Sequence, residues 1–152
     1  MKRLGNYFVM LTVAILAMFG TSCSGDDSED LGPFVEYAEA KTFYETYKSY
    51  NDGPKVLIDY RSASDYAAGH LTGAQSRPAT VYNTADDNAQ WCKDLLAEYP
   101  TNTCLFFYGS KSFEMNKTVA GRASRLGYGK VNSRIYTKGY DEEVQGYFGV
   151  EK

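Results

Sequence analysis

Few residues in this sequence are equipped for chemistry, and their spacing limits what that chemistry can be. There is one histidine, His70, and there are three cysteines, Cys23, Cys92 and Cys104. A single histidine excludes a multi-histidine metal site. His70 follows a glycine, Gly69, and reads first as a structural hydrogen-bonder. Asp59 and Arg61 sit two apart at the end of the apolar run Lys55-Val-Leu-Ile-Asp, placed to pair with each other or to hold backbone groups. A second apolar run, Leu105-Phe-Phe-Tyr, stops at Gly109 and gives way to Ser110, Lys111, Ser112, Phe113 and Glu114. A buried strand running into a polar loop is where open α/β sheets place their ligands. Here the first loop residue has no side chain.

The elements that must position these residues alternate in kind. Residues 34–37 are extended. Ala40, Phe43, Tyr44, Tyr47 and Tyr50 then recur at helical steps, ended by Asn51-Asp-Gly-Pro. The runs at 55–60 and 104–108 are continuous and apolar between turn signals, which suits strands buried on both faces of a parallel sheet. Ser62 or Ser64 is placed to cap a short helix through Asp65, Tyr66 and Ala68. Residues 74–78 are extended and 80–87 form a polar connection. Helices are expected over 89–99 and 116–126, and weak strands at Lys130-Val131 and Ile135-Tyr136. Strands alternating with helices predict an α/β fold with a mainly parallel sheet and helices on both faces.

The first segment is not part of that fold. Two cations, Lys2 and Arg3, precede an apolar run over residues 7–19, then Gly20-Thr-Ser and Cys23. This is the layout of an export signal, and the run is shorter than the roughly 20 residues that span a bilayer. Cys23 after small residues resembles the lipidation site of bacterial lipoproteins, although Gly20 stands where leucine is usual. The acidic stretch Ser24-Gly-Asp-Asp-Ser-Glu-Asp resembles the surface-export signal of Bacteroidetes lipoproteins and equally suits a plain solvated spacer. The expected organisation is a signal peptide over 1–22, a tether over 23–33 and a domain over 34–152, lipid-anchored in the cell envelope on the periplasmic or the outer-membrane surface side. The formal charge is −3; without Lys2 and Arg3, 14 cations against 19 anions leave −5. That balance excludes the basic footprint of a nucleic-acid binder. Cys92 and Cys104 remain after lipidation. They permit a disulfide closing about a dozen residues and worth about 3 kcal/mol, or they are two buried thiols.

From residue 56 to 79 the sequence VLIDYRSASDYAAGHLTGAQSRPA resembles the rhodanese homology domain. That family has a strand ending in Asp-x-Arg, an aromatic residue, and then Gly-His-x-x-Gly-Ala. Asp59, Arg61, Tyr66, Gly69, His70, Gly73 and Ala74 match in type and spacing. LFFYG, RASRLGYGKV and YTKGYDEEVQGY match the later family segments in register, with Lys138-Gly139 at the usual paired glycine, and the resemblance covers roughly 34–150. It implies a rhodanese-like fold with a central five-stranded sheet, a structural role for His70, and an active-site loop directly after the strand at 104–108. In the family that loop begins with a cysteine held in a nest of backbone N–H groups, whose thiolate carries sulfane sulfur.

In this chain the cysteine position falls on Gly109, and no cysteine follows it. Cys104 lies five residues back, roughly 16 Å away at about 3.3 Å per residue. The loop holds one cation, Lys111, and an opposing Glu114, and it counts one residue longer than a typical sulfurtransferase loop. The longer loop resembles that of the related cell-cycle phosphatases, which need a cysteine and an arginine that are both missing here. Three readings follow. One is a non-catalytic domain binding an envelope partner or small anion at a degenerate loop. The second is a sulfurtransferase using another residue, Cys92 or Cys104. The third is an envelope scaffold. None implies a cofactor or a metal.

Overall fold

The computed structural model describes residues 31–79 and 85–152. Cys23, the export segment and most of the acidic tether lie outside the described residues. Among the described residues seven strands and six helices follow one another: β1 (Val35–Tyr37), α1 (Ala40–Ser49), β2 (Lys55–Asp59), α2 (Ala63–Ala68), β3 (His70–Leu71), β4 (Gln75–Ser76), α3 (Ala85–Glu98), β5 (Cys104–Tyr108), α4 (Phe113–Ala123), α5 (Gly129–Asn132), β6 (Ser133–Tyr136), α6 (Glu142–Phe148) and β7 (Val150–Glu151). Five strands form one sheet in the order β1-β6-β5-β2-β4, and every pairing in it is parallel. β3 and β7 form a small antiparallel pair that ties the chain's end to the turn after α2. This is the expected α/β architecture, with helices on both faces.

Strand parity explains the two cores. Val56 and Ile58 of β2 join Leu105 and Phe107 of β5 under Trp91 and Leu95 of α3 and Val119, Ala120 and Ala123 of α4. The alternate residues Leu57, Cys104, Phe106 and Tyr108 face Ala40 and Phe43 of α1 and Val144 of α6. A strand with apolar residues at every position can only be buried on both sides, as the continuous runs predicted. The aromatic stripe of α1 belongs mostly to this second core. Phe43 is fully buried and stacks on Tyr136 with centroids 5.5 Å apart, and Tyr47 meets Phe106 edge-on at 5.2 Å.

Three expectations change. Helix α3 begins at Ala85 rather than 89, and α4 begins at Phe113 rather than 116. Ser112 caps α4, its hydroxyl accepting the Met115 N–H at 3.3 Å, so the helix starts as soon as a capping side chain is available. Lys130 and Val131 lie in the short helix α5, because a wide π-type turn over Ser124–Tyr128 carries the chain round into it. Of the two readings left open for Cys92 and Cys104, the disulfide between them is ruled out, because they belong to the cores on opposite faces of the sheet. Among the described residues no helix is long and apolar enough to cross a membrane.

Candidate functional site

Parallel order brings the carboxyl ends of β2 and β5 side by side, Asp59 opposite Tyr108. Both chemistry-capable segments therefore leave the sheet at the same edge. A cleft of about 340 Å³ opens there, lined by Tyr60, Arg61, Ala79, Gly109, Ser110 and Met115 among others. A larger and more open groove lies against the last turns of α3, between Arg77, Asp94, Ala97 and Glu98. Arg77 and Glu98 form an ion pair there.

The matched motif after β2 is internally saturated. Asp59 is fully buried and accepts from the Arg61 backbone N–H at 2.9 Å and from the guanidinium Nη2 at 2.6 Å. Arg61 also donates to the Gly69 carbonyl at 2.7 Å and lies 3.8 Å over the Tyr140 ring. Tyr66 donates from its hydroxyl to the Ala74 carbonyl, 2.8 Å. His70 stacks flat on Tyr66 at 3.8 Å, and its Nδ1 lies 3.0 Å from the Tyr66 carbonyl. Its Nε2 is 3.7 Å from Glu151 of β7. Tyr108 closes the cluster, its hydroxyl accepting the Leu71 N–H at 2.9 Å. Burial first, and the Asp59 carboxylate next, hold its phenol well above the ordinary range. Asp59, Arg61, Tyr66, Gly69, His70 and Ala74 thus fix the course of the chain from β2 through α2 to β4. Gly73 lies in that turn and directs its N–H at Glu151, 3.4 Å away.

The loop after β5 is short. Gly109, Ser110, Lys111 and Ser112 connect the strand to the helix, and Phe113 and Glu114 are the first turn of α4. Phe113 is 59% exposed. Ser110 Oγ accepts the Ser112 N–H at 3.0 Å, so the loop caps itself. Gly139 packs against it from the β6–α6 turn with φ of 78°, where a Cβ would stand 3.1 Å from the Ser110 carbonyl carbon and 3.3 Å from the Gly109 oxygen. Both the backbone and the space at 139 require glycine.

Two further residues belong to the site and were not singled out from the sequence. Tyr60, the middle residue of Asp-x-Arg, lays its ring beside Gly109, and its hydroxyl accepts the Ser110 N–H at 2.7 Å. The same hydroxyl donates to Oδ1 of Asn116 in α4, and Asn116 Nδ2 donates to the Thr137 carbonyl at 3.3 Å. Only the spacing of Asp59 and Arg61 pointed toward Tyr60.

Among the described residues no thiol reaches the cleft. Cys104 is at the start of β5, the end opposite Gly109, and fully buried. Burial pushes its thiol pKa up, the reverse of what a sulfur nucleophile needs at neutral pH. Cys92 packs beside the α3–α4 core. Among the described residues no group of three or more His, Cys, Asp or Glu side chains could hold a metal ion.

With this geometry, the sequence profile of the Rhodanese-like domain family matches residues 42–144. Comparison with curated proteins finds no match. A crystal structure of a rhodanese-like domain from an Anabaena sp. protein is similar at 15% identity, covering 76% of this chain and 97% of that one with a TM-score of 0.49. A solution NMR structure of the rhodanese-like domain from Anabaena sp. covers 80% of each chain at 15% identity with a TM-score of 0.50. At that identity the structural likeness speaks to the fold alone. The family match spans well over half of the chain, and the protein belongs to the rhodanese-like domain family.

Proposed function

We propose that this is a non-catalytic rhodanese-like domain, held in the bacterial cell envelope by a lipid on Cys23, that binds an envelope partner or small anion in the cleft at the end of β5. The observation that carries this reading is the content of the cleft. β5 delivers Gly109 where the family resemblance places a cysteine, and the nearest thiol along the strand, Cys104, is buried at the far end with a raised pKa. Covalent sulfur transfer needs a thiolate that can meet its donor. Ser110 and Ser112 supply hydroxyls, but both already accept backbone N–H groups within the loop and the helix cap.

The envelope assignment rests on the sequence of residues 1–30. Substituting Cys23→Ser is expected to move the protein from the membrane fraction to the soluble fraction and to abolish incorporation of labelled fatty acid.

The test of the non-catalytic reading is persulfide trapping. The protein is incubated with thiosulfate, alkylated and measured by mass spectrometry. Neither Cys92 nor Cys104 is expected to gain a sulfur atom. A one-sulfur adduct on either, discharged by cyanide, would overturn the reading in favour of a sulfurtransferase with a displaced nucleophile.

A further inference from the structure

Gly109 lies next to a side chain that takes its place. A Cβ built there would stand 2.8 Å from Cε2 and 2.9 Å from Cδ2 and Cζ of Tyr60. Gly109 is not among the glycines with positive φ. Its backbone is one that any L residue adopts, so glycine at 109 answers to space and not to conformation. Tyr60 is 3% exposed, and its hydroxyl is used in both directions, accepting from Ser110 N–H and donating to Asn116 Oδ1. Asn116 is itself 1% exposed and anchored to the Thr137 carbonyl. Three more amides of this turn are engaged: Ser112 N–H on Ser110 Oγ, Met115 N–H on Ser112 Oγ, and Asn116 N–H on the Ser112 carbonyl.

We infer that Tyr60 is the specificity-determining residue of the cleft: it is the loop's own ligand, and it closes the loop to small oxyanions. Its ring fills the side-chain space at 109 and its hydroxyl holds the Ser110 amide. An anion entering there must displace a buried phenol and leave Asn116 without its donor, which a single surface cation, Lys111, does not offset. This rests on the reading of the cleft as a binding place and narrows it.

The test is a titration of the isotopically labelled full chain in detergent with thiosulfate, followed through the Ser110 and Lys111 amide resonances. The wild type is expected to show no saturable shift at millimolar thiosulfate. Tyr60→Ala removes ring and hydroxyl together and is expected to bind at least roughly tenfold more tightly, the equivalent of one freed hydrogen bond to a charged ligand. Tyr60→Phe keeps the ring and the packing and is expected to give a smaller gain in the same direction; it decides the question if Tyr60→Ala does not fold. Saturable wild-type binding as tight as that of the variants overturns the inference. So does a failure of every folded variant to bind more tightly than wild type, because another feature would then exclude the anion. Persulfide formation by the wild type would defeat the functional reading without touching this one, and tight wild-type anion binding would do the reverse.

Discussion

The two segments that leave the sheet at its carboxyl edge carry the same family resemblance and use it in opposite ways. After β2, the matched residues from Asp59 to Ala74 spend nearly every polar group on one another, and the segment is a framework. After β5, the residues from Gly109 to Asn116 begin with a glycine, and the ring of a tyrosine contributed by the first segment fills the side-chain space there. A motif can therefore be well matched because it builds the fold, and that match says nothing of the activity of its neighbour.

The comparison is broken most severely from the framework side. Arg61→Leu leaves the fully buried Asp59 carboxylate without its guanidinium partner. Removing one partner of a buried ion pair costs about 3–5 kcal/mol, so this variant is expected to lose most of the domain's stability in urea unfolding. A loss under about 1 kcal/mol would mean that the ion pair is not what holds the framework.

The next largest effect lies at the contact between the two segments. Gly109→Ala forces a methyl against the Tyr60 ring and is expected to destabilise by about 1–3 kcal/mol. In a Tyr60→Ala background the same change should cost little, so a double-mutant cycle should return a coupling of about 1 kcal/mol or more. Additive effects would show that residues 60 and 109 do not share that space.

Away from both segments, Tyr128 gives a smaller effect with a pH signature. Its hydroxyl donates to the Leu95 and Tyr99 carbonyls, at 3.1 and 2.6 Å, and burial pushes its pKa up to about 12. A group whose pKa is raised on folding contributes stability that is complete below its unfolded value, about 10 for tyrosine, and lost as pH rises toward the folded value. Tyr128→Phe is expected to cost about 1 kcal/mol at pH 7 and to flatten the decline in stability between about pH 10 and 12. Equal alkaline slopes for variant and wild type would assign that decline to other buried phenols. The smallest effect is expected at Lys111, in the loop but outside its hydrogen-bonded turn. Lys111→Ala should change stability by less than about 0.5 kcal/mol, and a larger loss would show that the loop depends on this cation.

Much of the fold was legible because burial on two faces writes itself into a strand. Lys55–Asp59 and Cys104–Tyr108 have no polar alternation to give them an exposed face, and both are central strands. The Ser62 cap was legible because a side-chain oxygen three residues before a free amide is a local feature. The start of α4 was less visible, since Ser112 caps an amide at Met115 with no acidic residue at that position to complete a capping box. Lys130 and Val131 suggest a strand by residue type, but the turn at 124–128 sets their direction. The candidate site was half legible. Gly109 was found from its neighbours along the chain, whereas Tyr60 could not be, because its role is a contact with residues 50 and 56 positions away. A residue's use as an internal ligand is a property of tertiary packing and leaves no periodicity to read.

The most direct measurement of the central claim is thiosulfate-to-cyanide sulfur transfer by the wild-type protein, with Gly109→Cys and Gly109→Cys/Tyr60→Ala measured beside it. The account predicts no turnover above the uncatalysed rate in the wild type, none in the single variant while Tyr60 holds the space, and turnover only where the thiol is present and the ring is gone. Turnover by the wild type in proportion to its concentration would contradict it.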